Sequence, residues 1–454
     1  MRIYDGALTC VFIGVVAACG SSTSGDAIVV GNGADGAGDG AGIGGGDGGG
    51  TMSGDGEAGD GSVATCLGSA FLGSLGKTHL LVGGAMQDAT ANAVPFDVRY
   101  QYISGGISDG AGPCMACSTG CTSNAVGCKN PPNPNPTNIQ GCGWWGCFQY
   151  DLDPPGKFVS GFASAATPRK EIPMFTYYEL LQASNVTEGK PEVTAANDGA
   201  FMTRYLADYR FFLQQIGQSV ALVHVEPDFW GYAESVNEDP HLIPAAVASA
   251  NATDCASEEN TIAGLGRCFV SMARKYAPKA KISLHASAWG TQTDVLANTS
   301  STFDAAAEAQ KLGAFLRKAG AATGDFIVVD PSDRDAGYYA TQSRNTYWDV
   351  TNATLPNFHQ AFAWAKALAE SLGLPVVWWQ IPLGNSGLND TVNHWKDNRV
   401  DYFFGHVDEL VKAHSVGMFF GAGRGDQTTP ESDSGNFITK SKAFFAGSAP
   451  SPCP

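Results

Sequence analysis

The feature that most restricts this chain is an alternation that begins at Lys77, in which short apolar runs are separated by longer stretches with helical spacing of apolar residues. That is the pattern of βα units around a parallel sheet. The runs place strands at Thr78–Val82, Val98–Ile103, Ile172–Tyr177, Val220–Val225, Lys281–His285, Phe326–Val329, Val376–Trp379 and Gly417–Phe420. Helical patterns between them are clearest at Ala200–Ile216, Thr261–Tyr276, Thr302–Ala319, Phe358–Leu372 and Tyr402–Ala413. Eight strands with intervening helices specify a (β/α)8 barrel of the TIM type. The competing architecture, a doubly wound open sheet, requires a glycine-rich phosphate loop after its first strand. Val82-Gly83-Gly84-Ala85 does not fit G-x-G-x-x-G, and no Walker sequence occurs in the chain.

The N-terminal region has a different character. Arg2 precedes an apolar run from Ala7 to Ala18 that is too short to span a bilayer as a mature helix and reads as an export signal over residues 1–18. The run ends Val16-Ala17-Ala18-Cys19-Gly20-Ser21, which resembles the lipobox of bacterial lipoproteins. That resemblance implies that Cys19 becomes the lipidated first residue of an exported cell-envelope lipoprotein, touching the membrane only through its acyl chains. Residues 20–65 hold 18 glycines, seven acidic side chains and no Lys or Arg. So little large apolar surface cannot offset the entropy of ordering, and 19–65 reads as a flexible tether with a reach of roughly 35–40 Å. The folded domain then occupies 66–454.

Ten cysteines remain beyond Cys10 and Cys19: Cys66, Cys114, Cys117, Cys121, Cys128, Cys142, Cys147, Cys255, Cys268 and Cys453. An even count in an exported protein reads as disulfides. Six of them crowd into a Gly-, Pro- and Asn-rich stretch after the second strand, so an insertion at 107–148 is expected to be held by cross-links in place of a core. Zinc at Cys114-x-x-Cys117 is the rival reading, and the oxidising compartment disfavours it. Cys66 and Cys453 bracket the folded region, while Cys255 and Cys268 are close enough to tie a loop to the following helix.

A barrel of this type collects its chemistry at the C-terminal ends of the strands. On strand four, Ala221, Val223 and Val225 are apolar enough to face the helices, which leaves Leu222, His224, Glu226 and Asp228 on the parity that faces the mouth. Strand five offers Ser283, His285 and Ser287 on that parity, followed by Trp289. Strand three ends in Tyr177-Tyr178-Glu179, strand six in Asp330-Pro331-Ser332-Asp333, and strand seven in Trp378-Trp379-Gln380. Carboxylates at several strand ends, bordered by aromatic rings that can stack on sugars, suit hydrolysis of a glycosidic bond. The expected catalytic set is Glu226 or Asp228 as proton donor with Asp330, Glu179 or Asp333 as partner. The expected carbohydrate contacts are His224, Trp230, His285, Trp289, Trp378, Trp379, Gln380 and Trp395.

Glu226-Pro227-Asp228, with the segments Ala221–Ala233, Thr261–Tyr276 and Lys281–Gly290, resembles the strand-four to strand-five region of the family-six cellulases. The resemblance covers about seventy residues and has one sharp motif. It implies that Asp228 is the general acid of an inverting mechanism. The family's other essential aspartate has no counterpart here, since the comparable position offers Tyr177-Tyr178-Glu179. Retaining barrels with a strand-seven nucleophile are a second template, but Gln380 is a neutral amide and cannot attack as an anion.

A net charge of −17 without a basic cluster excludes a nucleic-acid partner. No metal and no cofactor is expected: His224 and His285 stand in no H-x-H or H-E-x-x-H frame, and Asp426, Glu431 and Asp433 read as a solvated loop rather than a calcium site. The chain is expected to act as a monomer on a carbohydrate substrate. The other reading is a catalytically silent carbohydrate-binding or structural cell-surface barrel, prompted by the missing strand-seven carboxylate.

Overall fold

The computed structural model describes residues 66–104, 107, 156–184, 186–447 and 450–452. The signal, the tether with Cys19 and, apart from Ile107, the insertion at 107–148 with its six cysteines lie outside the described residues. So does Cys453.

Eight strands form one parallel sheet: β1 Leu81–Gly84, β2 Val98–Ile103, β3 Ile172–Tyr177, β4 Leu222–Val225, β5 Lys281–Leu284, β6 Ile327–Val329, β7 Val376–Ile381 and β8 Ser415–Phe420. Their order is β5-β4-β3-β2-β1-β8-β7-β6. A parallel bridge between His285 and Val328, with Ala286 N–H donating to Val328 O at 2.8 Å, joins the two ends, so the sheet is a (β/α)8 barrel.

Two hydrophobic layers follow from side-chain alternation. Val98, Tyr100, Met174, Leu222, Val328, Val377 and Trp379 fill the barrel interior. Phe175, Tyr177, Val223, Val225, Ile282, Ile327 and Trp378 belong to the outer layer beneath the helices. Helix α1, Leu67–Ser74, adds Phe71 and Leu72 to the interior cluster, with the Phe71 ring 5.3 Å from that of Phe326 just ahead of β6. This closes the N-terminal end of the barrel.

Helix starts obey local capping. Asp198 accepts from Ala200 N–H and Phe201 N–H at the start of α2, Gly199–Ile216. Thr261, Asp304 and Asn357 cap α3 Ile262–Tyr276, α4 Ala305–Lys318 and α5 Phe358–Leu372 in the same way. The expected helix Tyr402–Ala413 is two helices, Arg399–Gly405 and Val407–Lys412. Its interruption is His406, with φ −131° and ψ 42°, whose ring stacks on Tyr402 at 3.9 Å and whose Nδ1 lies 3.2 Å from Glu409 Oε1.

Strand β1 lies later in the chain than the apolar run suggests because it includes Gly83 and Gly84. A Cβ on Gly83 would stand 2.0 Å from Val98 O, so close pairing of β1 with β2 requires a residue that sequence patterns score as a breaker. Cys255 and Cys268 are disulfide-bonded with Cα atoms 5.4 Å apart, tying the loop before α3 to the helix. Cys66 Sγ is 3.7 Å from Pro452 O, which brings together the two ends of the folded region.

Candidate active site

The described residues hold a cavity of about 280 Å³ beyond the ends of β4, β5 and β6. Asp228 enters it from β4, Trp289 and Asp294 from the segment after β5, and Asp330 and Asp333 from the segment after β6. Glu188, Tyr232, Tyr339, Arg344, Trp348 and Arg399 complete much of the wall. Tyr232 and Trp289 have ring centroids 4.6 Å apart, and the Tyr232 hydroxyl donates to Glu188 at 2.9 Å. These two rings form an aromatic wall beside Asp228.

The site is strongly acidic. Five carboxylates line it against two guanidiniums. One of these, Arg399, is committed to Asp397 at 2.7 Å and to the Trp348 ring at 4.7 Å. Burial, reinforced by the charges of Asp330 and Glu188, holds the Asp228 carboxyl well above the usual carboxylate range. Burial also raises Asp294. Asp330 is 19% exposed, and its Oδ1 is hydrogen-bonded with His285 Nε2 at 3.1 Å. The cavity therefore juxtaposes a carboxyl that favours its proton with a second carboxyl hydrogen-bonded to an imidazole, an arrangement that can serve acid–base catalysis.

Several expected members lie elsewhere. Glu226 is fully buried and does not line the cavity: Oε1 accepts from Glu179 N–H at 3.1 Å, Leu180 N–H at 3.0 Å and the Tyr205 hydroxyl of α2 at 2.5 Å. Burial pushes its pKa up to about 7, against the lowering effect of those donors. Glu179 is likewise buried outside the cavity wall. The strand-parity argument fails for Glu226 because its backbone is left-handed, φ 51°, and Asp228 follows at φ 65°. Alternation holds only while the chain stays extended.

The tryptophans divide likewise. Trp289 lines the cavity. Trp230 is fully buried, donates its indole N–H to Val225 O at 3.0 Å and packs on Phe229 and Phe269. Trp378 is fully buried in the outer layer against Phe362 and Phe403, so neither it nor Trp230 can meet a substrate. Trp395 stitches loops, donating its indole N–H to Asp426 O at 2.6 Å. Trp379 lies inside the barrel, next to Tyr100 and Tyr102, and Gln380, with φ 55°, accepts from the Tyr102 hydroxyl. His224 and His285 are fully buried below the cavity rather than in its wall.

The sequence reading missed Glu188, Tyr232, Asp294, Tyr339, Arg344, Trp348 and Arg399. They lie on loops and helices beyond the strand ends, and no spacing rule marks them. Of the non-glycine residues with positive φ, Asp228 alone lines the cavity, while Glu226 and Gln380 lie near the ends of β4 and β7 outside its wall. Among the described residues no group of three or more His, Cys, Asp or Glu is placed to hold a metal ion.

Fold and site define a (β/α)8 barrel with an acidic, aromatic-walled cavity at the C-terminal ends of its strands. No family model matches the chain, and no curated protein matches it. Among solved structures, an endo-β-1,4-mannanase from Cellulomonas fimi, described with the family-26 mannanases, is similar at TM-score 0.44 and 11% identity, covering 85% of this chain and 75% of that one. An endo-β-1,4-mannanase from Thermotoga petrophila gives 0.42 and 10%, covering 82% and 78%. An endoglucanase from Mycobacterium tuberculosis gives 0.28 and 15%, covering 53% and 62%. These are distant likenesses.

Proposed function

We propose that this chain is a glycoside hydrolase in which Asp228 is the proton donor and Asp330 the base. The observation that carries the reading is that these two carboxyl groups, from the ends of β4 and β6, open into the same cavity, where burial favours the proton on Asp228 and His285 donates to Asp330. Asp228 gives its proton to the glycosidic oxygen as the bond from that oxygen to the anomeric carbon breaks. Asp330 takes a proton from the water whose oxygen bonds to that carbon, and the configuration inverts. The raised pKa of Asp228 keeps the acid loaded, and Tyr232 with Trp289 offers a flat apolar face to a sugar ring.

The substrate is a polysaccharide or oligosaccharide, and the catalytic domain works as a monomer at the cell envelope on a lipidated Cys19. The test is sugar release from a broad glycan panel, with the anomer first formed followed by NMR. Hydrolysis by the wild type and its loss in Asp228→Asn and Asp330→Asn support the reading. Retention on a glycan with no release supports instead the silent binding barrel, and release of the retained anomer reassigns Asp330 as nucleophile.

A further inference from the structure

Below the cavity, four consecutive strands contribute to one row of polar side chains, of which the proton transfers above use only Asp330. Thr176 on β3, His224 on β4, His285 just past β5 and Asp330 just past β6 are joined by three hydrogen bonds. Thr176 Oγ1 is 3.2 Å from His224 Nδ1, His224 Nε2 is 3.1 Å from His285 Nδ1, and His285 Nε2 is 3.1 Å from Asp330 Oδ1. The imidazole centroids are 5.1 Å apart, and Trp379 stands roughly edge-on to both rings at 4.8 and 6.0 Å. Thr176, His224 and His285 are fully buried, and only Asp330 reaches the cavity.

With neutral rings a single arrangement of hydrogens satisfies the row. A carboxylate accepts, so His285 Nε2 carries the hydrogen. Its Nδ1 is then bare and accepts from His224 Nε2–H, which leaves His224 Nδ1 to accept from the Thr176 hydroxyl. Burial, with the adjoining His285, pushes His224 well below the usual imidazole range, which keeps that ring neutral.

We propose that Thr176, His224 and His285 form a positioning ladder for Asp330, locking His285 as the Nε2–H tautomer so that Asp330 is held ionised with Oδ1 engaged and Oδ2 left for water. This deepens the hydrolase reading and rests on the part it gives Asp330. None of the three touches substrate. Break the ladder at His224 and His285 is free to carry its hydrogen on Nδ1, presenting a bare Nε2 to Asp330. A hydrogen bond there then requires a proton on Asp330, which disables it as a base. Asp228 from β4, Asp294 after β5 and Tyr102 from β2 also face Asp330, and Asp333 shares its cavity. A negative charge on any of them acts in the same direction, while the Arg344 guanidinium in the cavity wall acts with the donor from His285 against protonation.

The test is long-range ¹H–¹⁵N correlation of the imidazoles in the full ¹⁵N-labelled chain between pH 6 and 8, with His285 assigned through His285→Gln. The wild type should show His224 and His285 as neutral Nε2–H tautomers. His224→Leu should release His285 from that tautomer and raise the acid limb of the kcat/KM profile by about one unit, a tenfold loss on that limb. His224→Gln, which still donates, should keep the tautomer, and Thr176→Val should loosen it should His224→Leu not fold. A wild-type His285 found as Nδ1–H or as imidazolium overturns the ladder whether or not the chain cleaves glycans. An acid limb unmoved in a His224→Leu enzyme whose tautomer has changed overturns its positioning role. Correct tautomers in a chain that releases no sugar uphold the ladder and sink the hydrolase reading, so the two failures are distinct.

Discussion

Glu226 and Asp228 stand two residues apart at the end of β4 and serve different surroundings. Glu226 is tied to the Glu179–Leu180 backbone and to Tyr205 of α2, while Asp228 opens into the cavity. Left-handed backbone at both positions produces this divergence. Asp228→Asn should therefore lower kcat by about 10²- to 10⁴-fold with little change in KM. Glu226→Gln keeps the acceptor for its three donors and should stay within about tenfold of wild type. Steady-state kinetics of the two variants decides it, and the reverse ranking would reassign the acid to Glu226.

Asp228 works as a donor only while protonated, and its pKa lies above the ordinary carboxylate range through burial and the neighbouring Asp330 and Glu188 charges. Activity should accordingly fall as pH rises through that raised value. The alkaline limb of the kcat/KM profile should sit above the usual carboxylate range and disappear in Asp228→Asn. An alkaline limb at an ordinary carboxylate pKa contradicts the assignment.

Trp289→Ala removes one ring of the cavity wall and should raise KM about 3- to 10-fold, the equivalent of about 0.5–1.5 kcal/mol of stacking. Trp378→Ala opens a void under the helices and should cost about 3–5 kcal/mol of stability with little change in KM. Denaturant titration beside Michaelis–Menten kinetics separates the two, and a KM effect confined to Trp378→Ala would redraw the site.

Among the carboxyls that burial pushes upward, Glu226 and Asp335 reach about 7, Glu234 about 8 and Glu192 about 9. Each binds its proton more tightly folded than unfolded. The stability they contribute is therefore fully present below about pH 4 and is lost as pH rises through 7 to 9. The thermal midpoint should drop by several degrees between pH 5 and pH 9. Glu192→Gln should flatten that slope, because both Glu192 oxygens are buried without a hydrogen-bond partner. A midpoint that rises over this range would contradict the burial of these groups.

Much of the barrel was legible because the signals that specify it are local. Val98–Ile103, Ile172–Tyr177 and Phe358–Leu372 lie where the apolar runs and helical spacing put them. Inward and outward alternation on β4 and β5 follows from the pleat. Gly83 and Gly84 hid the true span of β1, since a glycine required by close backbone approach looks like a breaker. Gly405 and His406 hid a helix break for want of any local stop signal beyond one glycine.

The sequence by itself determined the eight-fold βα repeat and which strand faces are apolar, because periodicity and caps act over a few residues. It also brought Asp228, Asp330 and Trp289 into consideration, each beyond a strand end. Only the tertiary structure decided that Glu226 turns to Tyr205, that Trp230 and Trp378 are core, and that Thr176, His224, His285 and Asp330 form one row. Past the last extended residue of a strand, side-chain direction depends on φ and on partners tens of residues away in the chain. Those partners become neighbours only when the sheet closes.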